Sequence, residues 1–472
     1  MNDRTILPPR EDPSGKLSEF AAKLTYDDIP EEQRDYIKKD ILDSICCFLA
    51  GSTGPAVPTV LESVRSFEAS GKGRILIYGD SLPETLAGFV NGTMARSCDI
   101  GDTGVEGGHI VEWIMPTLLT GLARAGKTVS GKEFIAAFAA GAEWGARENI
   151  STLMQYYNNL NPGEGGGSRY ATVALAKLYG FDAEMIWNAA GMAYCAHPQH
   201  TQQKYAEGTP DARLQHGYVT ADALIITDLV KRGMTSVHGI YQSIGGLYNN
   251  IRHEIGSPDI LTEDLGTRWM WREGITNKLY AGCYYNHTPV YGVLSLMKEH
   301  GIDREQIASI HFVTSHAGEH TWAPRDLKYD PKTPEAAMFS TPYSVAHAVF
   351  TGDCYLEAYR PDVFEKNMEN PEFVAFMNVL TQENDQEIKA TFDDYIVTIH
   401  LKDGSEVSRQ ITDLPGNRTH AVTWEQVEEK FRKTIPYAAV DLGEEKYNRI
   451  IEICRHLEDI SDVSCLVSAL LP

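Results

Sequence analysis

The chain has 472 residues, 43% of them hydrophobic and 23% charged, so it is a globular protein long enough for two or three cores rather than one. Forty-two basic residues stand against 65 acidic ones, a formal charge of −23, which argues against nucleic acid and anionic membrane as partners. Its 8 cysteines show no CxxC pair or regular spacing, which supports neither a zinc site nor a disulfide framework. No run of 18 apolar residues would span a bilayer, and Met1 to Lys16 lacks the apolar core of a signal peptide; a cytoplasmic protein is expected.

From Leu17 to about Arg272 the pattern is helical. Ile37, Ile41, Ile45 and Phe48 recur at helical spacing before Gly51, with Cys46 and Cys47 among them as core residues. Leu118 to Ala125, Gly131 to Ala146, Tyr170 to Leu178 and Ala221 to Lys231 continue it. Their alanine content suits a tightly packed bundle. After Arg272 the character changes. Ile307 to Thr314 alternates as a strand, and so does Tyr395 to Leu401. Lys402-Asp403-Gly404 then reads as a hairpin turn before a second strand at Val407 to Ile411. Pro342 to Ala348 and Asn367 to Thr381 look helical between them. From Thr423, an expected N-cap, helix returns until Leu471. The fold class expected is therefore mainly α: a large helical domain built from both chain ends (1–273 and 418–472) around an inserted, smaller α/β domain (274–417).

Five polar breaks interrupt the apolar helices, and such groups are costly unless paired or used. The first, Cys98 to His109, places Asp99, Asp102, Thr103, Glu106 and His109 among glycines, as a solvated loop or as a site. The second, Asn161 to Arg169, opens a helix whose free N–H groups suit an anion, with Ser168 able to cap. The third runs from Cys195 to Gly217 and carries Lys204, Arg213 and His216, a cationic rim between helices without a zinc-binding HExxH pair. The fourth, Lys278 to His287, offers Lys278 as a carboxylate-binding cation or a base. The fifth, Phe339 to Tyr343, places Tyr343 at a helix start, as a hydrogen-bond donor or a structural ring.

Taken together these segments resemble the MmgE/PrpD family of dehydratases, decarboxylases and epimerases of small carboxylic acids. The likeness runs through Leu42-Asp43, Asn91-Gly92, Asp99…Asp102-Thr103…His109…Pro116, Arg213-Leu214…Gly217, Lys278, Ser340…Pro342-Tyr343 and Thr423…Lys430-Phe431. It implies a homodimer without cofactor or metal, an α/β lid, and a pocket at the lid junction for a small di- or tricarboxylate. Catalytic residues carried over by motif are His109, Asp99, Lys278 and Tyr343, with Thr103 beside the substrate. Ser168, Arg169, Lys204, Arg213 and His216 complete the expected substrate-binding set. The chain also departs from the family pattern. Where Lys-Arg-Leu-His-x-Gly is usual, it reads Ala212-Arg213-Leu214-Gln215-His216-Gly217, and a family histidine before Tyr170 has no counterpart. The family's usual substrate is therefore not carried over.

The chemistry expected is proton transfer beside a carboxylate, with His109 as base or acid, oriented by Asp99. Lys278 would bind a carboxylate and Tyr343 would donate to the developing charge. A lyase is the first reading and an epimerase the second. A metal-dependent enzyme using Asp99, Asp102 and Glu106, and a non-catalytic family member, are the readings from other classes.

Overall fold

The computed structural model describes residues 12–104, 108–152, 162–196, 208–243, 246–250, 257–385, 387–388, 394–417 and 419–472. The protein is mainly α-helical, with strands in three small sheets. Its first half comprises α1 (Pro13–Lys23), α2 (Glu31–Gly51), α3 (Val57–Arg65), α4 (Glu84–Ser97), α5 (Val111–Gly121), α6 (Gly131–Ser151), α7 (Pro162–Leu178), α8 (Ala183–Ala196) and α9 (Gln215–Lys231). Helix α2 buries Ile37, Ile41, Ile45 and Phe48, together with Cys46 and Cys47. Ser130 starts α6 by a reciprocal capping box with Glu133.

Small residues set the helix spacings. A Cβ added at Gly92 of α4 would lie 2.3 Å from the His216 carbonyl of α9, and one at Gly141 of α6 would lie 2.6 Å from the Tyr170 carbonyl of α7. Gly166 and Gly167, just before Ser168, have the same cause. The glycine-rich run is not a loop capped by Ser168: helix α7 already begins at Pro162, and Ser168 lies inside it. Proline suits a first helical turn, and Gly167 is required because a Cβ there would meet Trp113 Cδ2 at 2.3 Å.

Two further departures from the sequence pattern come from long-range pairing. Asp102–Gly104 forms strand β3 and pairs antiparallel with β4 (Ile275–Asn277) inside the otherwise helical half; a two-stranded ribbon, β1 (Gly73–Arg74) with β2 (Ser81–Leu82), precedes it. In the α/β segment, Asn367 to Thr381 is not one helix. It breaks at Asn370-Pro371, and Leu380–Asn384 leaves as strand β6. The main sheet has the order β6-β5-β7-β8, with β5 (Ile307–Thr314) parallel to β6 and antiparallel to β7 (Tyr395–Leu401), which pairs with β8 (Glu406–Ile411) through the expected hairpin. Helix α10 (His287–His300) covers this sheet closely, Gly292 facing Val397. Helices α11 (Thr341–Thr351), α12 (Pro361–Glu369) and α13 (Pro371–Asn378) complete the segment.

The chain then returns to the first half. Helix α14 (Trp424–Thr434), capped by Thr423, packs on α2, and α15 (Glu444–Arg455) packs beside it. Among the described residues no helix is long and apolar enough to cross a membrane.

Candidate active site

The first polar break is built by its neighbours. Helix α4 ends at Ser97 with Cys98 as its C-cap, and Asp99 follows in the left-handed region (φ 52°), which asparagine and aspartate tolerate better than most side chains. That turn brings the Asp99 carboxylate back onto Arg96 of the same helix. Gly101 comes next because a Cβ there would lie 2.1 Å from Glu112 Oε1, to which its own N–H donates at 3.0 Å. Asp102 then spends both oxygens on the start of α5, accepting from the N–H groups of Ile110 (2.7 Å) and Glu112 (3.0 Å). Pairing of Asp102 with Asn277 across β3 and β4 leaves Lys278 as the next residue, beside the Asp99 turn. Its ammonium donates to Asp99 Oδ1 at 2.5 Å, and Arg213 Nη1 lies 4.0 Å from Oδ2.

Helix α2 holds this arrangement from behind. Asn277 donates to Asp40 at 2.6 Å and accepts from the Tyr36 hydroxyl at 3.1 Å. Lys430 of α14 donates to Asp43 (2.6 Å) and to the carbonyls of Ile100 (2.5 Å) and Lys278 (2.9 Å). One buried ammonium from the C-terminal helices thus ties together the two chain segments that carry Asp99 and Lys278. Replacing Lys430 with methionine strands a buried carboxylate, so unfolding in denaturant is expected to show a loss of roughly 3–5 kcal/mol. An unchanged midpoint and slope would mean that Asp43 finds another partner.

Burial pulls the Asp99 carboxyl up, but the charges of Arg96, Lys278 and Arg213 outweigh it and hold the group well below its usual range. His109 moves the other way. Burial and the same Arg96 and Lys278 charges hold its imidazole well below its usual pKa, so it is neutral at pH 7. Its Nδ1 faces the Asp102 carbonyl oxygen at 2.6 Å. A carbonyl can only accept, so Nδ1 carries the proton and Nε2 carries the lone pair. Glu112 lies against the same ring, its Oε2 3.2 Å from His109 Nδ1 and 3.3 Å from His216 Nε2. Burial raises Glu112 to about 8, with Asp102 adding to the rise against Arg96, so this carboxyl is protonated at neutral pH. The cluster therefore holds a neutral base, a neutral acid and a lysine–aspartate ion pair.

Of the residues expected from the sequence, the structure brings together His109, Asp99, Lys278, Arg213 and His216. His216 stacks on Trp113 (3.6 Å, 14°) and lies 5.6 Å from the His109 ring. Thr103 is buried in β3 opposite Thr276. Arg169 is placed differently. It makes a buried, two-pronged pair with Glu148, whose Oε2 also accepts from the Tyr241 hydroxyl at 2.7 Å, and its guanidinium lies over the Tyr194 ring. Its carboxylate partner, Glu148, comes from α6. Ser168 is buried within α7.

Tyr343 is also placed apart from His109. Its hydroxyl donates to the Ala358 carbonyl at 2.7 Å and accepts from Asn367 at 3.1 Å, within a cluster formed with Tyr359, Phe364 and Phe373. The hydroxyl expected to serve a substrate is already used in the core of the α/β segment. Lys204 and Glu106 lie outside the described residues. Among those described, no group of three or more His, Cys, Asp or Glu side chains is arranged to hold a metal ion. Asp99 and Asp102, expected as ligands in the metal-dependent reading, are engaged by cations and by backbone N–H groups.

The sequence reading missed Arg96, Glu112, Asp43 and Lys430 as contributors. Each is a charged residue that the fold buries within a helix, where the sequence alone does not show which face is covered.

A neutral histidine, a protonated carboxyl and a paired lysine thus share one buried cluster in a mainly helical protein. The MmgE/PrpD N-terminal domain model matches residues 15–254 and the C-terminal domain model residues 280–459, and the chain belongs to the MmgE/PrpD family. Two sequences of cis-aconitate decarboxylase from Aspergillus terreus are each 25% identical to it, over 97% of this chain and 95% of their own. At the level of the family, the protein is a lyase of the dehydratase/decarboxylase kind.

Proposed function

We propose that the protein is a cofactor-independent lyase that decarboxylates or dehydrates a small di- or tricarboxylate by proton transfer at the carbon beside a carboxylate. The observation that carries this reading is His109, held neutral and tethered through Nδ1 so that Nε2 is the free base. In dehydration, Nε2 takes the proton next to the carboxylate, the electron pair spreads into that carboxylate, and hydroxide leaves from the neighbouring carbon with a proton. In decarboxylation, the carbon–carbon bond supplies the same electron pair as carbon dioxide departs, and a proton is then returned to carbon. Both routes place extra negative charge on a carboxylate, and a lysine beside it stabilises that charge. Lys278 supplies the cation, and Asp99 fixes its position. The homodimer implied by the family likeness and the cytoplasmic location expected from the sequence belong to the same reading.

The test is proton NMR in D₂O with cis-aconitate, citrate-like and succinate-derived acids. Deuterium appearing at carbon together with loss of carbon dioxide or water is the expected result. Exchange with no change in carbon skeleton, but inversion at the carbon, would make the protein an epimerase. No exchange with any of these acids, from folded protein, would remove the reading.

A further inference from the structure

Among the described residues, Lys38, Lys278, Lys328 and Lys430 are the buried lysines. Three have carboxylate partners: Glu458 for Lys38, Asp99 for Lys278 and Asp43 for Lys430. Lys328 is as buried as Lys278, at 2% exposure, yet its ammonium meets no hydrogen-bond or ion-pair partner among the described residues. A largely buried ammonium with no carboxylate beside it is costly, and proteins keep one where a ligand supplies the missing charge.

Lys328 is also fixed in place. It closes the helix Arg325–Lys328 of the α/β segment, and its carbonyl accepts from Ser340 Oγ, the hydroxyl that caps α11. Its surroundings connect it to the cluster around Asp99. The Cys283 thiol is pushed up to about 11 by burial, and Asp99, Lys278 and Lys328 all act on it. Cys283 is in turn held by its N–H on the Met338 carbonyl (2.9 Å), and Met338 Sδ lies 3.1 Å from Arg213 Nη2. Ser340 binds the Lys328 carbonyl, and two residues before it Met338 reaches Arg213, which lies 4.0 Å from Asp99. Burial lowers Lys328 to about 8, so at neutral pH most of the amine still carries its proton and can meet an anion.

We propose that Lys328 is the specificity-determining cation of the α/β segment: it binds a second, non-reacting carboxylate and makes the site select polycarboxylates over monocarboxylates. This rests on the lyase reading above, and it names a substrate-binding residue that neither the motifs nor the expected site contained.

The test is calorimetric binding of tricarballylate, succinate and propanoate to the wild type, Lys328→Met and Lys328→Arg. Wild type is expected to prefer the two polycarboxylates. Lys328→Met is expected to lose at least about tenfold in affinity for them and nothing for propanoate, while Lys328→Arg retains the preference. The methionine variant should melt no lower than wild type, since it removes an unpaired buried amine, and this separates lost binding from lost folding. Unchanged succinate binding by Lys328→Met, or an equal loss for propanoate, overturns the assignment alone. A wild type that binds none of the three acids overturns the lyase reading with it.

Discussion

Replacing His109 with alanine is expected to lower kcat by about 10²- to 10⁴-fold, the usual contribution of a positioned general acid or base. The protein should stay folded. The His109 side chain is 12% exposed, and the hydrogen bond that anchors this residue from α7, Tyr170 hydroxyl to the His109 carbonyl at 3.0 Å, belongs to the backbone and survives the substitution. Asp102 likewise keeps its two bonds to the start of α5, since both run to backbone N–H groups. Steady-state turnover with a thermal melt of the same preparation checks both parts. Imidazole added to the variant should restore part of the rate, because the missing group is a neutral base with an open lone pair rather than a structural strut. A variant that turns over at the wild-type rate would remove His109 from the chemistry. One that is slow but indifferent to imidazole would make it a positioning residue.

The helical half and the strands of the α/β segment were legible because their signals are local. Ile37, Ile41, Ile45 and Phe48 carry the period of α2, and alternation marks β5, β7 and β8 to within a residue at each end. Strand β3 was not legible, since three residues flanked by glycine show no alternation and pair only with a segment far along the chain. Strand β6 was hidden for a similar reason: its partner β5 covers Leu380, while the exposed residues after it give no apolar pattern. In the site, Asp99, His109 and Lys278 stood out as polar groups among glycines, where any reader looks for function. Glu112 did not, because Val111-Glu112-Trp113-Ile114-Met115 reads as an ordinary apolar helix with one charge presumed to face water. Only the fold shows that no face of α5 is exposed. Tyr343 differs in the opposite sense. Its position at a helix start was legible, but the direction of its ring is set by Phe364, Phe373 and Asn367, none of which any local rule places beside it.

Glu112→Gln is expected to separate the variant from wild type most clearly in alkaline solution. The folded carboxyl titrates near 8 and an ordinary glutamate near 4.5, with burial as the main cause of the rise and Asp102 reinforcing it. The folded state therefore holds this proton more tightly than the unfolded chain. The resulting stability is fully present below about pH 4.5 and is lost as the pH climbs through 8. Glutamine imitates the protonated form and cannot titrate. The difference in unfolding free energy, variant minus wild type, should thus grow by about 1.4 kcal/mol per pH unit across that window, to a total on the order of 4 kcal/mol. The amide also preserves the local bonding: its oxygen can keep the Gly101 N–H, now 3.0 Å from Oε1, and its NH₂ faces the His216 Nε2 that lies 3.3 Å from Oε2. Activity should follow the same curve. In wild type, ionisation of Glu112 adds a negative charge to the site, 3.2 Å from the His109 ring, which opposes the negative charge that builds on the substrate, so kcat/KM falls above about pH 8; in the variant that alkaline limb flattens. Denaturant unfolding and kcat/KM measured from pH 5 to 10 test both curves. Parallel stability curves for the two proteins would mean that Glu112 is already ionised at neutral pH, and His109 would then sit beside a carboxylate rather than a carboxylic acid.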